Sequence, residues 1–115
     1  MKDDAGRLQD ILEAIQNIRK YADRGRNAFE SEELIQTWIV HNIQIIGEAA
    51  CRLSLELMRR HPAIPWKDII GMRNIIVHDY FGIDRDVVWR VVEKDIPELK
   101  CRIEYIIASD NNIRS

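Results

Sequence analysis

The sequence predicts an all-α protein, folded as an up-and-down bundle of four to five helices. Only 5 glycines and 3 prolines occur among 115 residues, so long regular segments can form. Apolar residues recur three and four positions apart; this spacing favours helices over the strands that the many valines and isoleucines would also allow. A hydrophobic content of 46% is that of a globular chain. We therefore expect residues 1–115 to form one domain.

The first two helices are predicted over about residues 4–21 and 31–60. The first has a narrow apolar stripe, formed by Leu8, Ile11, Leu12, Ile15 and Ile18. Ser31 is placed to cap the second helix, in which apolar residues cover more than one face. We expect this helix to be central, with a partner subunit covering one side, and Gly47 would permit a close helix crossing there.

Shorter helices are predicted in the second half of the chain. A proline ends the long helix, and a third helix follows over Trp66–Tyr80. Asp84 is placed to cap a fourth helix, which Pro97 interrupts. Asp95 is placed to cap the helical segment that continues from there. Residues 109–115 are polar and are expected to fray.

Charge and composition narrow the classes of function. The net charge of −2 gives no basic surplus for coating nucleic acid, so any RNA contact requires a local basic cluster. No apolar run is long enough to span a membrane and no secretion signal is present, so we expect a cytoplasmic protein. Cys51 and Cys101 lie far apart, which disfavours a zinc site or a disulfide and indicates small buried hydrophobes. No metal or other cofactor is expected.

One short segment, Gly71–Gly82, concentrates groups suited to RNA cleavage. It carries a permanent cation at Arg73, a titratable imidazole at His78 and a phenol at Tyr80. RNA is cut without a metal when its 2′-hydroxyl loses a proton and attacks the adjacent phosphate. An imidazole moves protons at neutral pH, and a guanidinium neutralises phosphate charge. Arg73 and His78 are therefore the candidate catalytic residues.

The same three residues resemble the R-x-x-x-x-H-x-Y motif of the HepT-like HEPN toxins. Flanking phrases are similar to those of the family as well: Ile45-Ile46-Gly47-Glu48-Ala49-Ala50, His61-Pro62, Ile64-Pro65-Trp66, Tyr80-Phe81-Gly82 and Ile96-Pro97-Glu98-Leu99. The resemblance spans about residues 10–107. It implies a HEPN-like helical bundle, a homodimer with one shared cleft, and a metal-independent endoribonuclease that acts as the toxin of a toxin–antitoxin system.

The resemblance also implies roles and a partner. Arg73 and His78 would be catalytic, Asn74 the polar residue that follows the arginine in support, and Tyr80 a modified or RNA-contacting residue. The partner would be a minimal nucleotidyltransferase antitoxin of the MNT type, which can transfer AMP from ATP to the motif tyrosine, Tyr80. The added phosphodiester would place negative charge beside the cation meant for substrate phosphate.

The helical repeat complicates this picture of the site. At about 100° per residue, Arg73 and His78 lie roughly 140° apart on a regular helix. Three arrangements could bring the two side chains together. Either the helix loosens before His78, or the long arginine side chain reaches around the helix, or two chains complete the site across a two-fold axis. We favour the homodimer, because it also accounts for the broad apolar surface of the second helix.

Secondary roles are predicted for several other polar residues. Glu48 lies on the apolar second helix, and as a buried acid it would support Arg73 or His78. His41 on the same helix is expected to be a partly buried structural residue. A basic cluster either guides an RNA backbone or is simply a solvated helix end: Arg59, Arg60, His61 and Lys67.

Two other functions compete with the ribonuclease hypothesis. One is a non-catalytic helical dimer that serves as an interaction module for a nucleotidyltransferase. The other is a metal-dependent nuclease, which is disfavoured because acidic residues do not cluster at a convincing spacing. Cleavage of RNA in the presence of EDTA distinguishes the three.

Overall fold

The computed structural model describes residues 3–74 and 84–114, and within these ranges all regular structure is helical. The elements are α1 (Asp4–Ala22), α2 (Arg26–Ser31), α3 (Glu33–Cys51), α4 (Leu55–Arg60), α5 (Trp66–Gly71), a 3-10 turn (Met72–Asn74), α6 (Arg85–Arg90), a π-helical turn (Val91–Asp95), α7 (Ile96–Ser109) and α8 (Asn111–Arg114). The predicted all-α class is confirmed, although the helices are more numerous and shorter than expected.

Two long helices, α1 and α3, form the centre of the fold. The apolar stripe predicted for α1 is buried except at Leu12, which is partly buried. The contact of α1 with α3 is the most extensive between any two described elements. α7 covers α1 from another side, and the 3-10 turn and α5 pack on α3. Apolar burial of this kind is the main stabilising term of a helical bundle. The central position predicted for the second helix is therefore confirmed for α3.

A buried polar contact fixes the register of α1 against α3. Asn42 is 1% exposed, and its Oδ1 accepts a hydrogen bond from Asn17 Nδ2 at 3.2 Å. Asn42 Nδ2 in turn donates to the Trp38 carbonyl at 2.9 Å, and Trp38 Nε1 donates to the Asn17 carbonyl at 2.7 Å. Since buried polar groups are costly without partners, sliding either helix by one turn would be unfavourable.

The second helix, predicted over about residues 31–60, is divided into two helices, α3 and α4. Ser31 is the last residue of α2 and does not cap α3, whose N-cap is Glu32 without a side-chain hydrogen bond. α3 ends at Cys51, and the Ser54 hydroxyl caps α4 by accepting from the Leu57 amide at 3.1 Å. The Ser54 amide and hydroxyl both donate to the carboxylate of Asp4, at 2.9 and 2.6 Å. The break arises because a serine hydroxyl offers backbone amides an alternative to the helical bond.

The segment around Pro97 is continuous and not interrupted. Asp95 makes no capping hydrogen bond with its side chain, so the predicted fresh cap is wrong. The chain passes instead through the π-helical turn into α7, where Pro97 occupies the first turn and its missing N–H is not needed. The cap predicted at Asp84 is confirmed, since its Oδ1 accepts from the Val87 amide at 3.2 Å.

Asp110, the residue after α7, is anchored to the connection between α4 and α5, although residues 109–115 were expected to fray. Asp110 is 7% exposed, and its Oδ2 accepts from Arg60 Nε at 3.0 Å and from His61 Nε2 at 2.7 Å. The hydrogen bond from His61, then that from Arg60, lowers the pKa of Asp110 to about 2. Its Oδ1 accepts from the Asn112 amide at the start of α8, at 2.9 Å. We call these three side chains, Asp110, Arg60 and His61, the C-terminal clasp.

Two further expectations concern exposure. Cys51 and Cys101 are both exposed free thiols, so their predicted burial is wrong. Their exposure depends on how the helices pack, which the sequence pattern alone did not resolve. Among the described helices, none combines the length and the apolar content that crossing a bilayer requires.

Candidate active site

Arg73 is positioned by a close contact between the 3-10 turn and α3. A Cβ atom built on Gly47 would lie 2.5 Å from the Arg73 amide nitrogen and 2.8 Å from Arg73 Cβ. Side-chain atoms do not approach backbone this closely, so a residue larger than glycine would displace the turn. The close crossing predicted at Gly47 is confirmed, and the element that it admits is the turn carrying Arg73.

The Arg73 guanidinium lies at the surface, beside an acid and a thiol of α3. Its Nη1 is 3.7 Å from Glu48 Oε1 and donates to Cys51 Sγ at 3.2 Å. Glu48 Oε2 is 4.0 Å from Arg52 Nη2, so one carboxylate lies between two guanidinium groups. The Arg73 side chain keeps 39% of its surface exposed, which leaves its donors accessible to an anion.

Glu48 corrects one expectation and confirms another. Its side chain is 55% exposed, so it is not a buried acid. The reason is that the polar stripe of α3 faces water while the opposite faces of that helix are covered. The predicted pairing of Glu48 with Arg73 is nevertheless present.

The remaining motif residues are only partly described. Asn74 is exposed directly after Arg73, at the end of the 3-10 turn. His78, Tyr80 and the rest of the predicted third helix lie outside the described residues. The meeting of Arg73 with His78 therefore stays a prediction.

The basic cluster predicted near α4 does not form one free cationic surface. Arg60 and His61 are engaged in the C-terminal clasp, with side chains 28% and 15% exposed. Arg59 and Lys67 are exposed, and Lys67 borders a cavity that also contains three carboxylates, those of Asp68, Asp95 and Glu98. Burial, then the nearby Glu98 charge, raises the pKa of Asp95. A role for this cluster in RNA guidance stays a prediction.

Sequence reasoning missed a groove of about 280 Å³ between α1 and α3. Its lining consists of Arg7, Asp10, His41, Gln44, Ile45, Glu48, Ala49 and Arg52. His41 is exposed here, so the expectation of a partly buried structural residue is wrong. The signal was available, because His41, Gln44, Glu48 and Arg52 recur at helical spacing and define one polar stripe of α3. Glu48 belongs both to this groove and to the surroundings of Arg73.

Over residues 3–74 and 84–114, no three or more His, Cys, Asp or Glu side chains come together as a candidate metal site.

Comparison with known proteins identifies relatives over most of the chain. Residues 11–106 match the family model described as "Ribonuclease HepT-like". A Methanocaldococcus jannaschii protein named "Putative RNase" is 34% identical over 100 residues, which cover 86% of this chain and 92% of the relative. A Thermococcus cleftensis protein named "Probable ribonuclease HepT" is 37% identical over 98 residues, covering 84% and 89%.

A longer M. jannaschii protein also matches. It is named "Gamma-glutamylcyclotransferase and putative RNase", and it is 40% identical over 94 residues, which cover 81% of this chain and 42% of that protein. No solved structure is significantly similar to the chain.

Proposed function

This chain belongs to the HepT-like ribonuclease family, and on that premise we propose that it is a metal-independent endoribonuclease that uses Arg73 and His78. The family resemblance drawn from the sequence is confirmed. The observation that carries the proposal is the position of Arg73, whose exposed guanidinium extends from a turn pressed against Gly47. A cation fixed in this way needs little reorganisation when an anion arrives, which is what stabilisation of a charged transition state requires.

The chemistry follows from the two side chains. The His78 imidazole takes the proton of the RNA 2′-hydroxyl, and the 2′-oxygen forms a bond to the adjacent phosphorus. The bond from phosphorus to the 5′-oxygen breaks, and a protonated imidazole gives that oxygen a proton. Arg73 keeps its charge throughout and neutralises the phosphorane. The products are a 2′,3′-cyclic phosphate and a free 5′-hydroxyl.

Supporting residues orient this pair. Glu48, 3.7 Å from Arg73, restrains the guanidinium from the α3 side. Asn74 follows in the same turn and is exposed next to it, so that its amide can contact the same substrate. Neither carries a proton in the steps above: Glu48 is a positioning residue that acts through Arg73, and Asn74 would contact the substrate directly.

RNA cleavage by the purified chain in EDTA tests the proposal. We expect cleavage to persist, to leave 2′,3′-cyclic phosphate ends, and to fall by about 10²- to 10⁴-fold in His78→Ala, the range of general acid–base catalysis. Arg73→Ala should lose activity on a similar scale, while Arg90→Ala, an exposed arginine of α6, should not. Cleavage that EDTA abolishes would indicate the metal-dependent alternative, and no cleavage in any sample would favour the non-catalytic interaction module.

We propose further that the chain is a homodimer and that each cleft combines groups of two copies. The roughly 140° between Arg73 and His78 on a regular helix supports this arrangement. The first half of α3 supports it as well, since Leu34 and Trp38 near its start are 85% and 37% exposed. Four positions apart on one helix, they lie on the same face, and adjoining exposed apolar side chains can form a patch that a second subunit covers.

As the toxin of a toxin–antitoxin system, the chain would be neutralised by a minimal nucleotidyltransferase of the MNT type. In the proposed step the Tyr80 phenol oxygen bonds to the α-phosphorus of ATP, pyrophosphate leaves, and the phenolic proton goes to solvent. The motif spacing from Arg73 to Tyr80 supports this proposal. Protein produced together with such a partner should carry AMP on the Tyr80 peptide by mass spectrometry, and should cleave RNA slowly. An AMP-modified sample as active as the unmodified one would contradict it.

A further inference from the structure

We propose that the groove between α1 and α3 binds the RNA phosphodiester next to the scissile one. Arg7 and Arg52 would supply its cations, and His41 a hydrogen-bonding group. This inference rests on the proposed function, because it extends the same site along the substrate. It assigns a role to Arg7 and His41, two residues that the motif does not contain.

The groove is continuous with the surroundings of Arg73. Glu48 is shared: it is part of the groove lining, and its carboxylate is 4.0 Å from Arg52 and 3.7 Å from Arg73. The two guanidinium groups therefore lie on either side of a single carboxylate. A strand of RNA carries one charge per nucleotide, so a second cation so near the first can meet a neighbouring phosphate.

The side chains of the groove are of the type that binds an RNA backbone. Arg52 and His41 are exposed, with the Arg52 side chain 60% accessible. Guanidinium groups fit phosphate oxygens as forked donors, and an imidazole or a glutamine amide such as Gln44 adds further hydrogen bonds. Together with Arg73 the lining contains three guanidinium groups and two carboxylates, which is locally positive in a chain of net charge −2.

The environment of Arg7 is an independent indication that the groove binds an anion. Its Nε is buried and makes no hydrogen bond to any described group, although the residue is partly exposed and borders the groove. A buried donor without a partner is unfavourable. A phosphate oxygen in the groove would accept a hydrogen bond from this Nε once the guanidinium turned outward, so Arg7 has a donor that gains a partner on binding.

Binding of a fluorescent single-stranded RNA to the cleavage-deficient His78→Ala protein tests the groove without relying on catalysis. In this background we expect Arg7→Ala and His41→Ala to raise the Kd by about 3- to 10-fold at low salt. Arg7→Ala should also reduce the slope of log Kd against log salt by about 0.7, the value for one lost phosphate contact on a single strand. Arg19→Ala, an exposed arginine elsewhere on α1, serves as the matched control and should change neither.

The outcomes separate this inference from the proposed function. If Arg7→Ala binds RNA as Arg19→Ala does, the groove does not hold the strand, whether or not the chain cleaves RNA. If Arg7→Ala instead lowers the molar mass measured by light scattering, a second copy of the chain occupies the groove and the inference is wrong. Groove-dependent binding in a chain that never cleaves RNA would support the inference and overturn the proposed catalysis.

Discussion

Among single residues, Gly47 determines where Arg73 lies. A Cβ atom on residue 47 would lie 2.5 Å from the backbone nitrogen of Arg73. Because both atoms are fixed by the backbone, rotation of a side chain cannot relieve this contact. A glycine in the middle of a helix is unfavourable by about 0.5–1 kcal/mol relative to alanine. Its presence in α3 is explained by the turn that it admits.

Gly47→Ala should therefore impair both stability and cleavage. The methyl group forces the 3-10 turn away from α3, and overpacking of this kind lowers the free energy of unfolding by about 1–3 kcal/mol. Because the displaced residue is Arg73, kcat should fall by more than the loss of folded protein explains. Urea denaturation and RNA cleavage under folding conditions measure the two effects.

Gly71→Ala is the matched control for this substitution. Gly71 is the last residue of α5, two positions before Arg73, and a Cβ there would meet no atom of residues 3–74 or 84–114 within 4 Å. Alanine at this position should leave cleavage unchanged and stabilise the protein slightly. If both glycine variants behaved alike, the close contact at Gly47 would not be what positions Arg73.

Glu48 offers a second prediction for a single residue. Glu48→Gln removes the charge between Arg73 and Arg52 but keeps the shape, and exposed pairs contribute about 0–1 kcal/mol. We expect kcat to fall by no more than about five-fold. In a double-mutant cycle with Arg73→Lys, the coupling energy should be about 0–1 kcal/mol. Glu104→Gln, an exposed acid of α7, is the control. Fully additive effects of the two substitutions on kcat would show that Glu48 does not act through Arg73.

Spacing along the chain indicates which residues form the motif, whereas their catalytic roles stay predictions. Arg73 follows from its motif, and its pairing with Glu48 was foreseen. The exposure of Glu48, His41 and Cys51 was not, because burial depends on which face of α3 meets α1 and the turn. The helical spacing of His41 and Glu48 indicated one polar stripe, but apolar residues on several other faces of α3 led us to expect burial of both.

Among the secondary-structure elements, the C-terminal clasp joins distant parts of the chain. Asp110 follows α7, whereas Arg60 and His61 lie at the end of α4. The His61 carbonyl also accepts a hydrogen bond from Trp66 Nε1 at 2.9 Å, at the start of α5. The clasp therefore orients the helix that leads to the turn carrying Arg73. A contact between residues fifty positions apart leaves no periodic trace, which is why a polar tail was expected to fray.

The clasp gives the protein a specific sensitivity to acid. The pKa of Asp110 is lowered from 3.8 to about 2, so its contribution to stability is complete above about pH 4 and is lost as the pH falls toward 2. Asp110→Asn should lower the free energy of unfolding at pH 7 by about 2 kcal/mol, the scale of hydrogen bonds to a charged group. It should also flatten the pH dependence between pH 4 and 2, measured by urea denaturation.

Asp23→Asn is the control for this substitution, because Asp23 is an exposed acid that follows α1. The variant should keep the acid sensitivity of the parent protein. An Asp110→Asn protein with the same stability and pH profile as the parent would show that the clasp does not contribute.

For the whole molecule, the central question is whether one chain or two complete the site. The fold class was predictable from the sequence, because helical spacing persists over most of its length. The relation between Arg73 and His78 was not, because it depends on how helices and copies pack. Two inactive variants can resolve it, since each lacks a different member of the pair.

Mixed dimers of Arg73→Ala and His78→Ala provide this test. If each cleft joins Arg73 of one copy to His78 of the other, the mixed dimer retains one intact cleft of two, with about half the activity of the parent dimer. Tagged copies, co-expressed and purified through both tags, give the mixed dimer free of either parent. Activity near half would place the pair across the two-fold axis. If the mixed dimer is as inactive as either variant, while a dimer of two differently tagged parent chains is active, both residues act within one chain.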